Sequence, residues 1–114
     1  MTDGWAGVCR YADLVPERGV AALVSAHQVA LFRTFDGVLH ALDNRDPFSG
    51  AYVLSRGIVG SRGDVPTVAS PIFKQPFDLR TGQCLTDPDV SVSPHSVRCV
   101  DGVVEVRLAD HADD

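Results

Sequence analysis

Residues 69–84 read ASPIFKQPFDLRTGQC, and the chain is organised around them. Pro71 anchors a loop that leads into a short β segment at Phe77, and Thr81-Gly82 predicts the turn that leads out. An earlier partner stretch, residues 41–51, reads ALDNRDPFSGA. Residues 41–51 follow directly on a hairpin predicted from residues 28–42, so we expect a rigid element to present this earlier loop.

Length and composition predict one globular domain. The chain has 114 residues, of which 45% are hydrophobic and 22% charged, as is ordinary for such a domain. A net charge of −5 argues against a nucleic-acid partner, whose backbone attracts basic proteins. No apolar run approaches the length that spans a bilayer, and no export signal opens the chain. We therefore expect no membrane partner and a cytoplasmic location.

The cysteines and histidines do not form a recognisable metal or disulfide pattern. Three cysteines stand far apart, at Cys9, Cys84 and Cys99. An odd, scattered set is typical of a reducing compartment. The histidines are scattered too, at His27, His40, His95 and His111. No pair has zinc-ligand spacing, so we expect no metal site, and we expect His40 to be a satisfied or surface histidine.

Short β signals fill the rest of the chain. Residues 28–35 alternate in the strand sense, Asp36-Gly37 is a two-residue hairpin signal, and residues 38–42 form the return strand. Further strand candidates are residues 5–9, 20–24, 77–79, 83–85, 97–100 and 103–108. Residues 90–94 are expected to cross the surface. With no amphipathic helix of useful length, the pattern predicts a small all-β sandwich or barrel.

A second Asp-Gly turn, Asp101-Gly102, sets the register of the last hairpin. The predicted pairs are Val100 with Val103, Cys99 with Val104, Arg98 with Glu105, and Val97 with Val106. The charged pair is favourable across two strands. Because Cys99 lies beside Val104, we expect a buried small hydrophobic side chain rather than a redox thiol.

Residues 55–64, SRGIVGSRGD, separate the two loops and carry three glycines and two arginines. They form either an anion-contacting loop or an ordinary glycine-rich connection. The second interpretation is favoured because glycine is common in turns. The segment also lacks the spacing of a Walker loop and of the GxGxxG motif.

The two loops resemble the cluster-binding loops of a Rieske iron–sulfur domain. That family carries Cys-x-His in the first loop, and Cys-Pro-x-His followed by Phe-Asp-x-x-Thr-Gly in the second. Here the frame is kept, but the four ligand positions hold Asp46, Phe48, Ser70 and Phe73. A Rieske centre needs two thiolates on one iron and two imidazoles on the other. The resemblance therefore implies a Rieske-like β fold with two cluster-type loops that lack metal ligands.

Phenylalanine has no lone pair for a metal, and the oxygens of Asp46 and Ser70 are harder ligands than the thiolates that iron–sulfur clusters select. We therefore expect no cofactor in this chain. We expect the rings of Phe48 and Phe73 to meet and fill the pocket. Truncating either ring would then cost about 3–5 kcal/mol, as for other buried phenylalanines.

The resemblance covers nearly the whole chain and narrows to one family. The Asp-Pro-Phe-Ser and Ser-Pro-x-Phe-Lys-Gln elements look like those of the small subunit of bacterial assimilatory NAD(P)H-dependent nitrite reductase. This implies a Rieske-like domain over residues 5–108, followed by an acidic tail, residues 109–114, that we expect to be disordered. It also implies a large catalytic subunit that carries FAD, an iron–sulfur cluster and sirohaem, and that reduces nitrite to ammonium.

Several roles are compatible with this pattern. The favoured one is a subunit without catalytic residues. Alternatives are a Rieske-derived interaction or regulatory module of another multi-component oxidoreductase, and a true [2Fe-2S] Rieske ferredoxin, which the missing ligands disfavour. An independent enzyme would have to use Asp46 and Lys74, but such a pair is more often a surface ion pair.

A docking face is predicted at the loops. Four polar residues lie on or beside them, namely Arg45, Arg56, Lys74 and Gln75. In an acidic chain, clustered positive charge there would orient a partner and speed its association. The alternative is a set of solvated loop charges.

Overall fold

The computed structural model describes residues 4–109. These residues contain nine β-strands and two short 3-10 turns, joined by loops. The strands are β1 (Ala6–Arg10), β2 (Arg18–Val24), β3 (His27–Arg33), β4 (Leu39–Asp43), β5 (Ile58–Arg62), β6 (Val65–Ala69), β7 (Pro76–Asp78), β8 (Pro94–Val100) and β9 (Val103–Arg107). The 3-10 turns are Tyr11–Asp13 and Leu54–Arg56. The all-β prediction is confirmed, and neither turn is long enough to cross a membrane.

The strands form two antiparallel sheets. The larger has six strands in the order β1-β9-β8-β4-β3-β2, and the smaller has the order β5-β6-β7. Each cluster-type loop extends one strand: residues 44–51, the first loop, follow β4, and residues 70–75, the second loop, join β6 to β7. The turns at the other ends of β4 and β6 lie at the opposite end of the domain.

Strand β3 contributes to both hydrophobic cores, because both of its faces are apolar. Ala30 and Phe32 enter a core that also receives side chains of the smaller sheet, while Val29 and Leu31 enter a second core. The first core contains Ala30, Phe32, Leu42, Leu54, Val68, Phe77, Leu79, Cys84 and Val92. Each large apolar side chain fully buried in this way contributes about 1.5–3 kcal/mol. The first core lies directly beneath the first loop, since Phe48 packs against it.

The last hairpin has the register that the Asp-Gly turn predicts. All four predicted pairs are present, and Arg98 Nε donates to Glu105 Oε1 at 2.7 Å. Cys99, however, is exposed, so the prediction of a buried thiol is wrong. Strand β8 pairs with β4 only at Pro94 and His95. The later residues of β8, which include Cys99, extend past β4 and are not covered by it.

Residues 55–64 contain a regular strand rather than an irregular glycine-rich connection. Ile58–Arg62 pairs regularly with Val65–Ala69, and Gly63, with φ of +59°, occupies the turn. Because of its glycines, sequence analysis did not identify β5, an edge strand of the smaller sheet. Of the predicted acidic tail, only Ala109 lies among the described residues, and the expectation for residues 110–114 falls outside them.

Candidate functional site

The two cluster-type loops close on themselves in the same way. In the first loop the N–H of Asp46 donates to Ala51 O at 2.8 Å, and its carbonyl accepts the N–H of Gly50 at 2.7 Å. In the second loop the N–H of Ser70 donates to Gln75 O at 3.0 Å, and its carbonyl accepts the N–H of Lys74 at 2.9 Å. The two residues at the thiolate positions thus hold the backbone of their loops.

A buried hydrogen bond joins the two loops. Ser70 Oγ donates to Asp46 Oδ2 at 2.5 Å, and both side chains are buried. Asp46 Oδ1 accepts the N–H of Phe48 at 2.9 Å, and Ser70 Oγ accepts the N–H of Ile72 at 3.3 Å. Every side-chain oxygen of the pair therefore has a partner, as buried polar groups require.

The two phenylalanines at the imidazole positions do not meet. Phe48 is half-buried and contacts the ring of Phe77, with centroids 6.2 Å apart. Phe73 is 57% exposed at the tip of the second loop, so its prediction as a core residue is wrong. The reason is local: Asp46 and Ser70 contact each other directly, so their side chains occupy the gap between the two loops.

These residues do not fit a [2Fe-2S] cluster. The described loops offer no thiolate and no imidazole at the four ligand positions. The two oxygen-bearing side chains, of Asp46 and Ser70, are bonded to each other rather than turned toward an open space. Phe48 and Phe73 cannot ligate at all. The geometry therefore replaces a metal cross-link between two loops by a hydrogen bond.

The frame of the second loop is held by Asp78, the acidic residue of its Phe-Asp-x-x-Thr-Gly motif. Its carboxylate accepts the backbone N–H of Arg80 at 2.8 Å and the guanidinium at 3.1 Å. Burial acts to raise the pKa of Asp78, but the hydrogen bonds and charge of Arg80 outweigh it and lower that pKa. Asp78 thus stays ionised and fixes the turn that follows the loop.

The predicted docking residues lie at the loop end of the domain. Arg45, Arg56 and Lys74 are exposed, whereas Gln75 is partly buried and accepts a hydrogen bond from Thr86 Oγ1. Sequence reasoning missed the exposed apolar side chains among them, Tyr52, Ile58, Ile72 and Phe73. The adjacent Ile72 and Phe73, in a loop otherwise built from polar residues and proline, were the signal that could have revealed them.

The independent-enzyme alternative finds no support in this geometry. Asp46 is buried and satisfied by Ser70, while Lys74 is exposed, and no ion pair joins the two among residues 4–109. His40 is half-buried at the opposite end, where it lines a cleft of about 540 Å³. Burial lowers the pKa of His40, which favours its neutral form.

Comparison with known proteins gives consistent matches over almost the whole chain. The model of a family described as "Rieske-like [2Fe-2S] domain" matches residues 4–107. The nitrite reductase (NADH) small subunit of Escherichia coli K12 is 41% identical over 104 residues, which cover 90% of this chain and 96% of that protein. A crystal structure provisionally assigned as the NADH-dependent nitrite reductase small subunit of Mycobacterium tuberculosis is 52% identical, with a TM-score of 0.89, and covers 92% of this chain and 96% of its own.

A third relative carries a similar sequence inside a larger protein. Part of the nitrite reductase [NAD(P)H] large subunit of Klebsiella oxytoca is 38% identical to this chain over 102 residues. The match covers 90% of this chain but only 11% of that protein.

Proposed function

This chain belongs to the Rieske-like [2Fe-2S] domain family and, within it, to the small subunits of NADH-dependent nitrite reductase, and we propose that it is the small subunit of such an enzyme. The observation that carries the proposal is 41% identity over nearly the full length of both chains. A match of that extent includes the loops as well as the scaffold, so it goes beyond a likeness of fold.

Within the complex this chain has a structural role. The loops do not fit a cluster, and side chains alone do not supply the six electrons that convert nitrite to ammonium. FAD, the iron–sulfur cluster and sirohaem belong to the large subunit, and the small subunit carries no redox cofactor. The complex works in the cytoplasm, which agrees with three free cysteines in the described residues.

The Klebsiella oxytoca relative supports the choice of partner. There, a sequence similar to this chain is part of the large-subunit polypeptide itself. A domain that one organism joins covalently to an enzyme has to function beside it. For this protein we propose the same pairing between two separate chains.

Co-expression with the large subunit tests the proposal. We expect the two chains to co-purify and the complex to reduce nitrite with a nicotinamide cofactor. The small subunit alone should be colourless, hold no iron or acid-labile sulfide, and give no turnover above a heat-treated blank. Stoichiometric iron and sulfide in an anaerobically prepared sample would instead identify a Rieske ferredoxin, and failure to co-purify would favour a module of another oxidoreductase.

The loop end of the domain is the surface that we propose meets the large subunit. Exposed Ile72 and Phe73 stand beside exposed cations in a chain whose net charge is −5. An apolar centre within a polar rim is typical of protein interfaces. The matching surface of the large subunit would be an apolar depression with an acidic rim.

Variants at both ends of the domain test this surface. Phe73→Ala, and separately Arg56→Glu with Lys74→Glu, should melt like the parent because these side chains are exposed. We expect both to reduce co-purification with the large subunit, and the charge variant to make it less dependent on salt.

Matched controls come from the opposite end of the domain. Phe35 is 83% exposed in the β3–β4 turn, and Arg62 is exposed beside the β5–β6 turn. Phe35→Ala removes an exposed ring and Arg62→Glu reverses an exposed charge, and both should leave co-purification unchanged. If the controls weaken the complex and the loop variants do not, the docking surface lies at the other end.

A further inference from the structure

Two histidines and an aspartate converge beside the first loop. His27 begins β3, Asp43 ends β4, and His95 is the second residue of β8. Sequence reasoning missed the cluster because its members are 16 and 52 residues apart. From these three side chains we propose a binding site for one divalent transition-metal ion of the zinc class, independent of the function proposed above.

The sheet itself places the three side chains together. In the order β8-β4-β3, Ala41 pairs with His95, and Val29 pairs with Asp43. Paired residues point to the same face, as do residues two apart in one strand. All three side chains therefore share the face of the second core, at its loop end, and three hydrogen-bonded strands hold them rigidly.

The donor atoms are close enough to share one ion. Nε2 of His27 and Nε2 of His95 each lie 2.7 Å from Asp43 Oδ1, and the ligand atoms of all three residues lie within 4.8 Å of one another. The two rings stand edge to face, with centroids 5.5 Å apart. Ligation would require the donors to move apart slightly, because two ligands at about 2.0–2.1 Å from zinc are further than 2.7 Å from each other in a tetrahedral site.

The chemistry of the donors suits a metal of this class. Two imidazole nitrogens and one carboxylate oxygen are a donor set that zinc takes in proteins, with a fourth position left for water. The His95 side chain is fully buried, while those of Asp43 and His27 are about a quarter exposed. A hollow of about 180 Å³, lined by Gln28 and Tyr52 as well, opens from the site and leaves room for that water.

Without a metal, the imidazole N–H groups of His27 and His95 donate hydrogen bonds to Asp43. The N–H of Ala109 donates to His95 Nδ1 at 3.0 Å, so the ring carries its hydrogen on Nε2 and donates it to Asp43. When the metal binds Nε2, that proton moves to Nδ1 and the hydrogen bond from Ala109 breaks. The ring of His27 makes the same change of tautomer. Arg45, which also lines the hollow, opposes the added positive charge and keeps the affinity moderate.

Calorimetric titration of the chelator-treated chain with Zn²⁺ tests the site. We expect one ion per chain, and at least tenfold weaker binding in His27→Gln and in Asp43→Asn. His27 is partly exposed, so its variant should fold, which a thermal melt without zinc would verify. In NMR spectra, zinc should shift the ring nitrogens of His27 and His95 and the amide of Ala109.

Three controls separate this site from other zinc-binding groups. His40→Gln removes a histidine at the opposite end, Cys99→Ser removes an exposed thiol, and His111→Gln removes the histidine outside the described residues. None should change the affinity. The proposal is wrong if the chain binds no zinc, or if binding persists in His27→Gln and disappears in one of the controls.

Discussion

Gly82→Ala is expected to lower the free energy of unfolding by about 2–5 kcal/mol, as the sum of a strained backbone and a clash. Gly82 has φ of +81°, a conformation that costs alanine about 1–2 kcal/mol. A Cβ atom there would also lie 1.9 Å from the carbonyl oxygen of Val92. That oxygen belongs to backbone, and the Val92 N–H donates to Gly82 O at 2.8 Å, so the two segments cannot separate without losing this bond.

Gly102→Ala is the matched control, because Gly102 has nearly the same φ, +80°, but no atom within 4 Å of the added Cβ. It should cost only about 1–2 kcal/mol, the conformational part of the effect. Chemical denaturation of both variants measures the difference. Equal losses of stability would mean that Val92 does not press on Gly82 as the structure indicates.

The Gly82 contact also marks where sequence reasoning fails. The Thr-Gly turn was predictable, since glycine at a turn is a local signal. The segment 90–94 was expected to cross the surface, and this is wrong, because Val92 is buried in the first core. The alternation of residues 90–94 does not reveal which strands or loops will pack over them. The sequence predicts the turn, and only the packed fold explains why its glycine cannot be replaced.

Elsewhere in the domain, too, turns were predictable from the sequence and burial was not. Asp101-Gly102 fixed the last hairpin correctly, because a two-residue turn determines the pairing of its own strands. Asp36-Gly37 marked a hairpin correctly but not its register, because Arg33 pairs with Leu39 and the connection is longer than two residues. Burial was predicted less well. Cys99 and Phe73 are both apolar and both exposed, since each extends past the elements that could cover it. Burial depends on distant strands, and no local pattern contains that information.

At the candidate site, the family resemblance identified the right positions but not their arrangement. Asp46 and Ser70 were recognised as residues at which a Rieske domain has thiolates. That they bind each other could not be read from two loops 24 residues apart. The hydrogen bond changes the interpretation of the site, because the loops are held together at their bases and not by a pair of aromatic rings.

A double-mutant cycle on Asp46 and Ser70 should therefore show strong coupling. Asp46→Ala and Ser70→Ala should each lower the free energy of unfolding by about 1–3 kcal/mol, because each leaves a buried polar partner unsatisfied. The double variant should lose less than the sum of the two, with a coupling energy of about 0.5–3 kcal/mol. Ser49→Ala is the control: it removes only an exposed hydrogen bond from the N–H of Ala51, so it should cost less than either single variant.

The cycle also separates two explanations for the retained Rieske frame. If the Asp46–Ser70 bond is the cross-link that replaced the cluster, its loss should loosen both loops, and backbone amide exchange should rise at Gly50 and Lys74, which donate to these two residues. A coupling energy near zero, with unchanged exchange, would mean that each loop is held by its own backbone bonds. In that case the contact between the loops would be a consequence of the surrounding fold, and the ligand positions would be free to vary independently.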